Sequence, residues 1–346
     1  MSGCNEDDSS IPINTLPEEL IVAIFKLLAL EDIVACENVC RRWKKLARDP
    51  ALWRRIPIVY SGKPGQSEVS ERSLEIINTH KECVHNLKLQ YIYSYPMVIS
   101  VIEKCPNLVS LELVMCRVCK EFEDDVRQWR GLKKLNMKNS LLLTSNDDLA
   151  IQFDQFESLS FLSLSDFGLS SINCKSLLVC KNLCHILIEK IKGLHLEFIK
   201  ELIVSKQKIL KTLHIYGGDA VDDKCLHLLS QCAQLRDLAI IRCENLTDEG
   251  LLSLTVLKQI EHLQVWNNIN FSEYNLLKTL GSDSMTKLQS LSLSRIRNIS
   301  PLIVDLISEY YKNLKFLAVY QCPRIINTDY EKQLKSKFRN IDVVLY

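Results

Sequence analysis

Residues 235–251 read LRDLAIIRCENLTDEGL, and the pattern in this stretch decides the fold. Leucine or isoleucine stands at its first, fourth and sixth positions, and a cysteine stands at its ninth. Because alternate side chains of a strand point to opposite faces, the fourth and sixth residues face one side while the third, fifth and seventh face the other. Thr247 and Asp248 then suit the start of a helix. The stretch therefore predicts one short strand followed by one helix.

The same pattern of three apolar positions occurs in eleven units along the chain. The units begin at Val84, Leu108, Leu132, Leu159, Leu183, Leu210, Leu235, Ile260, Leu288, Leu314 and Ile341. Successive units start between 24 residues (84 to 108) and 28 residues (260 to 288) apart. One strand and one helix cannot bury their own apolar edge, so neighbouring units must stack. We therefore predict an α/β fold over residues 84–346, a right-handed solenoid of about ten to eleven repeats with parallel strands on the concave side and helices on the convex side.

Residues 11–56 do not follow this repeat. Helical spacing of apolar residues predicts a first helix, which Thr15 and Glu18 should open as a capping box. Two more short helices follow, and Asp49-Pro50 should end the last of them. Three short helices bury little apolar area, yet this segment carries many large apolar side chains. Some of them should face a partner, although a helical cap over the end of the solenoid explains the pattern equally well.

The N-terminal segment resembles an F-box. The resemblance rests on residues that stand in the order and spacing of that family, namely Leu16-Pro17, Leu20, Ile24-Phe25, Leu28, Leu30 to Asp32, Val39-Cys40, Trp43, Leu46 and Leu52-Trp53. It implies a three-helix domain that binds the Skp-type adaptor of a cullin–RING ubiquitin ligase, the SCF complex. Carried over residue by residue, it implies an adaptor interface made of Leu16, Pro17, Leu20, Ile24, Leu28, Trp43 and Leu52.

The eleven units resemble leucine-rich repeats of the cysteine-containing subtype. Cys116, Cys243 and Cys322 occupy the ninth position of their units. Asn268 stands there in a fourth unit. The other units depart from the family pattern, so we expect irregular turns after their strands; the residues at this position are Ile92, Ser140, Phe167, Ile191, Gly218 and Ile296. The two resemblances together imply four regions: a disordered N-terminus at 1–10, the F-box at 11–56, a linker and cap at 57–83 and the solenoid at 84–346.

The combined architecture implies a function without catalysis. An F-box followed by leucine-rich repeats implies the substrate-recognition subunit of an SCF ubiquitin ligase, in which the concave face binds an unknown protein substrate. The alternative is a scaffold that uses the same repeat surface without causing degradation. Neither role requires a cofactor, and we expect none.

Outward-facing positions of the strands suggest where a protein substrate binds. The column at the seventh position becomes aromatic and apolar in the C-terminal half, whereas its first members are mostly small or charged. Exposed Tyr, Trp and Arg are frequent anchors of interfaces, although scattered surface aromatics also occur without a function. The candidate substrate-binding residues from this and the neighbouring columns are His185, His214, Tyr216, Ile241, Arg242, His262, Trp266, Arg295, Phe316 and Tyr320.

The same face also suggests a hydrogen bond between Asp237 and His262, which share one column on adjacent strands. Hydrolytic catalysis would further need an activated nucleophile and an oxyanion site within reach. Cys116 and Cys119 form a C-x2-C pair, and Cys180 and Cys184 stand one helical turn apart. A zinc site needs two such pairs that converge, whereas the repeat itself accounts for Cys116 and Cys119. We therefore expect neither an enzyme nor a metalloprotein.

Composition narrows the possible partners. The chain has 43 basic and 42 acidic residues and a formal net charge of +1. A nucleic-acid or membrane-surface protein needs a concentrated basic face, so we expect neither partner. No stretch of 18 or more apolar residues is present to span a bilayer. Fourteen cysteines without a recognisable signal peptide predict reduced thiols and a cytoplasmic and/or nuclear location.

Overall fold

The computed structural model of the chain describes residues 12–62, 67–119, 122, 129–142, 148–149, 151–166, 168–268, 270–281, 285–338 and 341–345. Residues 1–10, predicted to be disordered, lie outside these ranges. Short helices come first, and a long parallel sheet with helices along one side follows them. The predicted α/β fold, in which N-terminal helices precede a solenoid of parallel strands, is confirmed.

The N-terminal region contains α-helices at Glu18–Phe25, Leu30–Cys36, Arg41–Ala47 and Pro50–Trp53, after a single 3-10 turn at Ile13–Thr15. The predicted capping box is wrong, because Pro17 is the N-cap of the first helix and the Thr15 hydroxyl donates instead to the carbonyl of Pro12. The third helix ends before Asp49, as predicted. Asp49 then caps a fourth helix of one turn by accepting a hydrogen bond from the backbone N–H of Ala51 at 2.7 Å.

Within the described residues, the main sheet has twelve parallel strands in chain order. They are Pro57–Ser61, Asn86–Gln90, Ser110–Val114, Lys134–Lys138, Phe161–Ser165, His185–Glu189, Thr212–Tyr216, Asp237–Ile241, His262–Trp266, Ser290–Ser294, Phe316–Ala318 and Asp342–Val344. The fourth and sixth positions of each unit face the core, where Leu238 and Ile240 are both buried. Each such side chain contributes about 1.5–3 kcal/mol when it is fully buried, so the repeat spacing sets the register of the sheet.

The two ends of the solenoid differ from the predicted pattern. Residues 57–83, expected to form a linker and cap, contain the strand Pro57–Ser61 and the helix Ser67–His80, and this strand pairs with Asn86–Gln90. They therefore contribute a unit of the same kind as the repeats. At the other end, Val343 pairs with Leu317 and Leu345 is buried, so the last unit begins one residue before the predicted Ile341. Tyr346, predicted to point inward, lies outside the described residues.

Helices line the other side of most units. They are Ser67–His80, Tyr95–Ile102, Ser171–Val179, Leu196–Lys206, Asp223–Ser230, Asp248–Ser253, Glu273–Leu280, Pro301–Tyr310 and Asp329–Lys337. Short 3-10 helices occur at Phe153–Gln155, Gly218–Ala220 and Leu254–Val256. Between residues 115 and 169, the described connections also include two pairs of two-residue strands, Arg117–Val118 with Leu141–Leu142 and Asp148–Leu149 with Gly168–Leu169. None of the helices in the described ranges is long and apolar enough to cross a membrane.

A left-handed residue follows nine of the described strands. These residues have φ between 48° and 63° and are Tyr91, Met115, Asn139, Asp166, Lys190, Arg242, Asn267, Arg295 and Gln321. This conformation costs non-glycine residues about 1–2 kcal/mol each, but it turns the chain so that the next residue enters the core. That next residue is the ninth of the unit, and it is buried at Cys116, Ser140, Cys243 and Cys322.

The ninth residue also links neighbouring strands. The Cys116 thiol donates to the carbonyl of Leu89 at 3.3 Å, and the Ser140 hydroxyl donates to the carbonyl of Leu113 at 3.2 Å. In both cases the acceptor is the sixth residue of the preceding unit.

The irregular turns expected at Ile92, Ser140, Ile191 and Ile296 are absent, because a left-handed residue precedes each of them as it precedes the cysteines. The unit of Gly218 does differ, since Gly217 is extended and a 3-10 helix follows it. Phe167 lies outside the described residues.

Candidate functional site

The first helix leaves apolar side chains on the surface. Leu20 is 51% exposed, Leu27 is 86% exposed, and Ile24 and Pro17 are also exposed. Leu20 and Ile24 lie in the helix, Pro17 is its N-cap, and Leu27 lies in the turn that follows, where its backbone N–H donates to the carbonyl of Ile24. Their spacing places the four on one stripe, here called the N-terminal apolar face. Leu27 was missed as a candidate contact, although its spacing from Leu20 and Ile24 already placed it on this stripe.

The other predicted adaptor contacts are less accessible. Leu52 is only 2% exposed, since it packs in the core beside Trp53. Its predicted role as an adaptor contact is therefore corrected, because a side chain inside the core cannot reach a partner without unfolding. Leu16, Leu28 and Trp43 are half-buried and pack against the same core.

Arg42 and Trp43 hold the segment that precedes the first helix. The Trp43 indole donates to the side-chain oxygen of Asn14 at 2.8 Å and meets the Phe25 ring edge to face at 5.2 Å. The Arg42 guanidinium donates to the carbonyls of Leu16, at 2.6 Å, and of Asn14. Sequence reasoning missed Arg42 and Asn14, whose roles depend on a contact between residues 28 positions apart. These bonds set the position of Leu16 and hence of the adjoining Pro17.

A second cluster connects the N-terminal helices to the solenoid. The rings of Trp53 and His80 stack at 4.9 Å with an angle of 18° between their planes. His80 Nε2 lies 2.6 Å from a carboxylate oxygen of Glu37, and that carboxylate also pairs with Arg48 at 3.0 Å. Because the His80 and Glu37 side chains are both buried, this cluster, called the junction below, orients the N-terminal helices on the first helix of the solenoid.

The seventh-position column in the C-terminal half comes together as predicted. Tyr216 pairs in register with Ile241, Ile241 with Trp266, and Trp266 with Ser294. Trp266 is 38% exposed and its indole donates to the hydroxyl of Ser292. Ser292 and Ser294, on the next strand beside the indole, are small and buried. Tyr320 is half-buried and follows the end of the strand Phe316–Ala318.

Two arginines complete this part of the face. The Arg242 guanidinium lies 5.7 Å from the centre of the Tyr216 ring and donates to its hydroxyl at 2.9 Å. The Arg295 guanidinium lies 5.8 Å from the centre of the Tyr320 ring and donates to the side chain of Gln321 at 2.7 Å. Cation–π contact of this kind contributes about 0.5–1 kcal/mol at exposed sites. The set Tyr216, Ile241, Arg242, Trp266, Arg295 and Tyr320 is called the concave patch below.

The remaining predicted substrate-binding residues lie in other columns. His185, His262 and Phe316 share the third-position column, which is roughly 13 Å from the seventh position at 3.3 Å per residue. His214 lies between the two columns and bonds Asp237 at 2.8 Å. The predicted Asp237–His262 bond is therefore replaced by Asp237–His214. His185 pairs with the Thr212 hydroxyl at 2.9 Å, and burial together with the positive charge of Lys211 lowers its pKa.

The cysteines show the effects of burial. Burial raises the pKa of the Cys243 thiol to about 12, and it also raises the pKa of Cys116 and Cys322. These thiols are protonated at neutral pH and act as hydrogen-bond donors to the backbone. Across the described ranges, no group of three His, Cys, Asp or Glu side chains is placed to hold a metal ion.

Comparison with known proteins gives a consistent result. The F-box-like family model matches residues 13–58. F-box protein SKIP19 of Arabidopsis thaliana is 24% identical over 252 residues, which are 71% of this chain and 74% of that protein. F-box/LRR-repeat protein 5 of Danio rerio is 33% identical over 66 residues, which are 17% of this chain and only 10% of that relative.

Similarity to a solved structure concerns the fold. A chain in the crystal structure of the Rad7 and Elc1 complex of yeast superposes with a TM-score of 0.57, and the match covers 89% of each chain. The two sequences are 16% identical, so this similarity concerns the fold alone.

Proposed function

We propose that this chain, an F-box/leucine-rich-repeat protein, is the substrate-recognition subunit of an SCF-type ubiquitin ligase. In this proposal the N-terminal apolar face docks the Skp-type adaptor, and through it the cullin–RING ligase, while the concave face binds a protein substrate. The chain itself transfers no ubiquitin. Its contribution is proximity, because it places the substrate near the charged enzyme.

The observation that carries the proposal is the exposed apolar stripe inside the segment that matches the F-box-like family. Leu20 and Leu27 leave most of their surface in water, although neighbouring Ile21 and Phe25 are buried. Removing a leucine side chain from water contributes about 1.5–3 kcal/mol. A partner that covers both leucines therefore gains a substantial part of its binding free energy from this stripe.

The junction supports the second half of the proposal. A receptor must hold its substrate at a defined distance from the ligase, since effective concentration depends on geometry. The stack of Trp53 on His80 and the His80–Glu37 pair join the two regions through buried contacts rather than through a free linker. The N-terminal apolar face and the concave patch then keep a constant relative orientation.

Binding of the purified chain to a Skp-type adaptor tests the docking half. Leu20→Glu with Leu27→Glu should weaken adaptor binding at least tenfold in calorimetry, because two charges replace the apolar contact. Val204→Glu with Val256→Glu is the matched control, since these valines are 55% and 57% exposed on the solenoid. The control should bind like the wild type, and both variants should keep its unfolding temperature. A wild type that does not bind the adaptor, or a stripe variant that binds normally, contradicts the proposal.

Ubiquitin transfer tests the receptor half. A protein captured by the concave face should be ubiquitinated by the reconstituted ligase with the wild-type chain and not with the Leu20→Glu, Leu27→Glu variant. If the captured protein binds but is never modified, the chain is a scaffold that causes no degradation.

A further inference from the structure

The two arginines of the concave patch are held in place by their neighbours. Arg242 turns toward Tyr216 on the preceding strand, and Arg295 turns toward Tyr320 in the following unit. Each uses one of its five N–H donors in a hydrogen bond to a described side chain. Within the part of the chain that the structure describes, neither guanidinium forms an ion pair with a carboxylate. Both positive charges are therefore ordered and able to accept an anionic partner.

The surrounding face has little negative charge of its own. The outward third, fifth and seventh positions of the five units from Thr212 to Tyr320 include a single carboxylate, Asp237, and it is engaged by His214. The next outward carboxylate, Glu189, pairs in register with Tyr216 at the N-terminal border of the patch. The outward positions of these five strands therefore supply no unengaged carboxylate that would neutralise Arg242 or Arg295.

The distance between the two guanidiniums limits which anionic ligands can contact both of them. Their strands, Asp237–Ile241 and Ser290–Ser294, have the strand of Trp266 between them. The two arginines also turn away from each other, so two to four strand spacings lie between the charges, roughly 10–19 Å at 4.8 Å per strand. A single phosphate group cannot reach both arginines across that gap. Two separate anionic groups can, with the exposed Trp266 ring between them.

We propose that the concave patch binds a peptide segment of the substrate in which acidic residues stand on both sides of a large apolar residue. The apolar residue rests on Trp266 and Ile241, and one carboxylate meets each arginine. An extended segment advances about 3.3 Å per residue, so the two acidic residues are about three to six positions apart. This inference rests on the proposed function, because it names the class of substrate that the receptor recognises.

Selection from a random dodecapeptide display library against the full chain tests this inference. The selected peptides should be enriched in pairs of Asp or Glu at that separation around an apolar residue. Their affinity, measured by fluorescence anisotropy, should fall at least tenfold when the acidic residues become amides. The affinity of the unmodified peptides should also fall at least tenfold when the chain carries both Arg242→Gln and Arg295→Gln. Glutamine already occupies the equivalent left-handed turn at Gln321, so this variant keeps the turn.

The control for the loss of charge is Arg117→Gln with Arg130→Gln, which removes two exposed arginines from the N-terminal half of the solenoid. This variant should bind the selected peptides within twofold of the wild type. Enrichment of neutral or basic peptides, or equal binding by the Arg242→Gln, Arg295→Gln variant, overturns the inference. So does at least tenfold tighter binding of peptides that carry one phosphoserine in place of both acidic residues.

Adaptor binding is measured on the same variants and separates the two proposals. The Arg242→Gln, Arg295→Gln variant should bind the adaptor normally. If the wild-type chain selects acidic peptides but never binds the adaptor, the ligase function fails while the peptide specificity stands. If the adaptor binds and no acidic peptides are selected, only the specificity fails.

Discussion

Arg42 illustrates how a single residue can shape a surface that it does not itself form. Its guanidinium donates to the carbonyls of Asn14 and Leu16, and the neighbouring Trp43 donates to the Asn14 side chain. Hydrogen bonds from a charged donor contribute about 1.5–3 kcal/mol. These bonds hold a segment that otherwise has only a single 3-10 turn. Arg42 is therefore a positioning residue for Pro17 and the start of the N-terminal apolar face.

Replacing Arg42 by alanine should weaken adaptor binding without unfolding the chain. We expect a three- to tenfold loss of affinity, because the Leu16-Pro17 segment must then be ordered when the adaptor binds. Calorimetry gives the affinity, and amide hydrogen exchange of residues 13–16 should become faster. Arg41→Ala, at an exposed neighbouring position, is the control and should change neither quantity. Unchanged exchange in Arg42→Ala would show that its hydrogen bonds do not order the segment.

Secondary-structure elements in this protein are capped by their neighbours as well as by their own residues. Asp223, the first residue of its helix, accepts hydrogen bonds from the backbone N–H and the hydroxyl of Thr247, at 2.8 and 2.6 Å. Asp248 accepts one from the backbone N–H of Ser272 at 2.8 Å, in the same relation one unit later. Successive helix N-termini are thus linked through carboxylates, which places the helices in contact at a constant offset.

Gly250 is required by this close approach. A Cβ atom at Gly250 would lie 2.2 Å from a carboxylate oxygen of Asp223 and 3.0 Å from its Cα atom, so the neighbouring helix would have to shift. We expect Gly250→Ala to destabilise the chain by about 1–3 kcal/mol, as overpacking usually does. The measurement is urea unfolding followed by circular dichroism. Gly131→Ala has open space around the new methyl group and should leave the free energy of unfolding nearly unchanged. Equal stability of the two variants would contradict this account of Gly250.

At the scale of the whole molecule, the junction decides whether the N-terminal helices and the solenoid move as one body. Trp53 is buried and donates to the carbonyl of Ala47 at 2.7 Å, while its ring stacks on His80 from the first solenoid helix. The buried side chains of the N-terminal helices, Trp53 among them, belong to one apolar cluster with those of the solenoid. Orientation and stability of the two regions are therefore coupled through a few side chains.

His80→Ala should uncouple the two regions. The change removes the ring stack and leaves one oxygen of the buried Glu37 without its imidazole partner, a cost of roughly 1–3 kcal/mol. Hydrogen exchange of residues 18–53 should become at least tenfold faster, whereas the strands from residue 110 onward should keep their protection. His227→Ala, at an exposed position on a convex helix, is the control and should resemble the wild type. Equally fast exchange in both regions would show that they unfold as one unit.

Much of this architecture can be read from the sequence. The repeat of apolar positions determined the parallel strands, their register and the column of Tyr216, Ile241 and Trp266, because burial of alternate residues depends only on local spacing. The spacing of Leu20 and Ile24 likewise indicated an apolar stripe on the first helix. At Ser140 the departure from the family pattern misled the prediction, because the turn there is the same as in the cysteine units.

Tertiary structure decided which of the possible partners each side chain meets. Leu52 is buried rather than available, Asp237 pairs with His214 rather than His262, and residues 57–61 add a strand that the repeat pattern did not reveal. The clusters around Arg42 and His80 also join residues 28 and 43 positions apart. Periodicity states which face of an element is buried, but contacts between distant segments depend on how whole elements pack, and that packing is set by shape and charge in three dimensions.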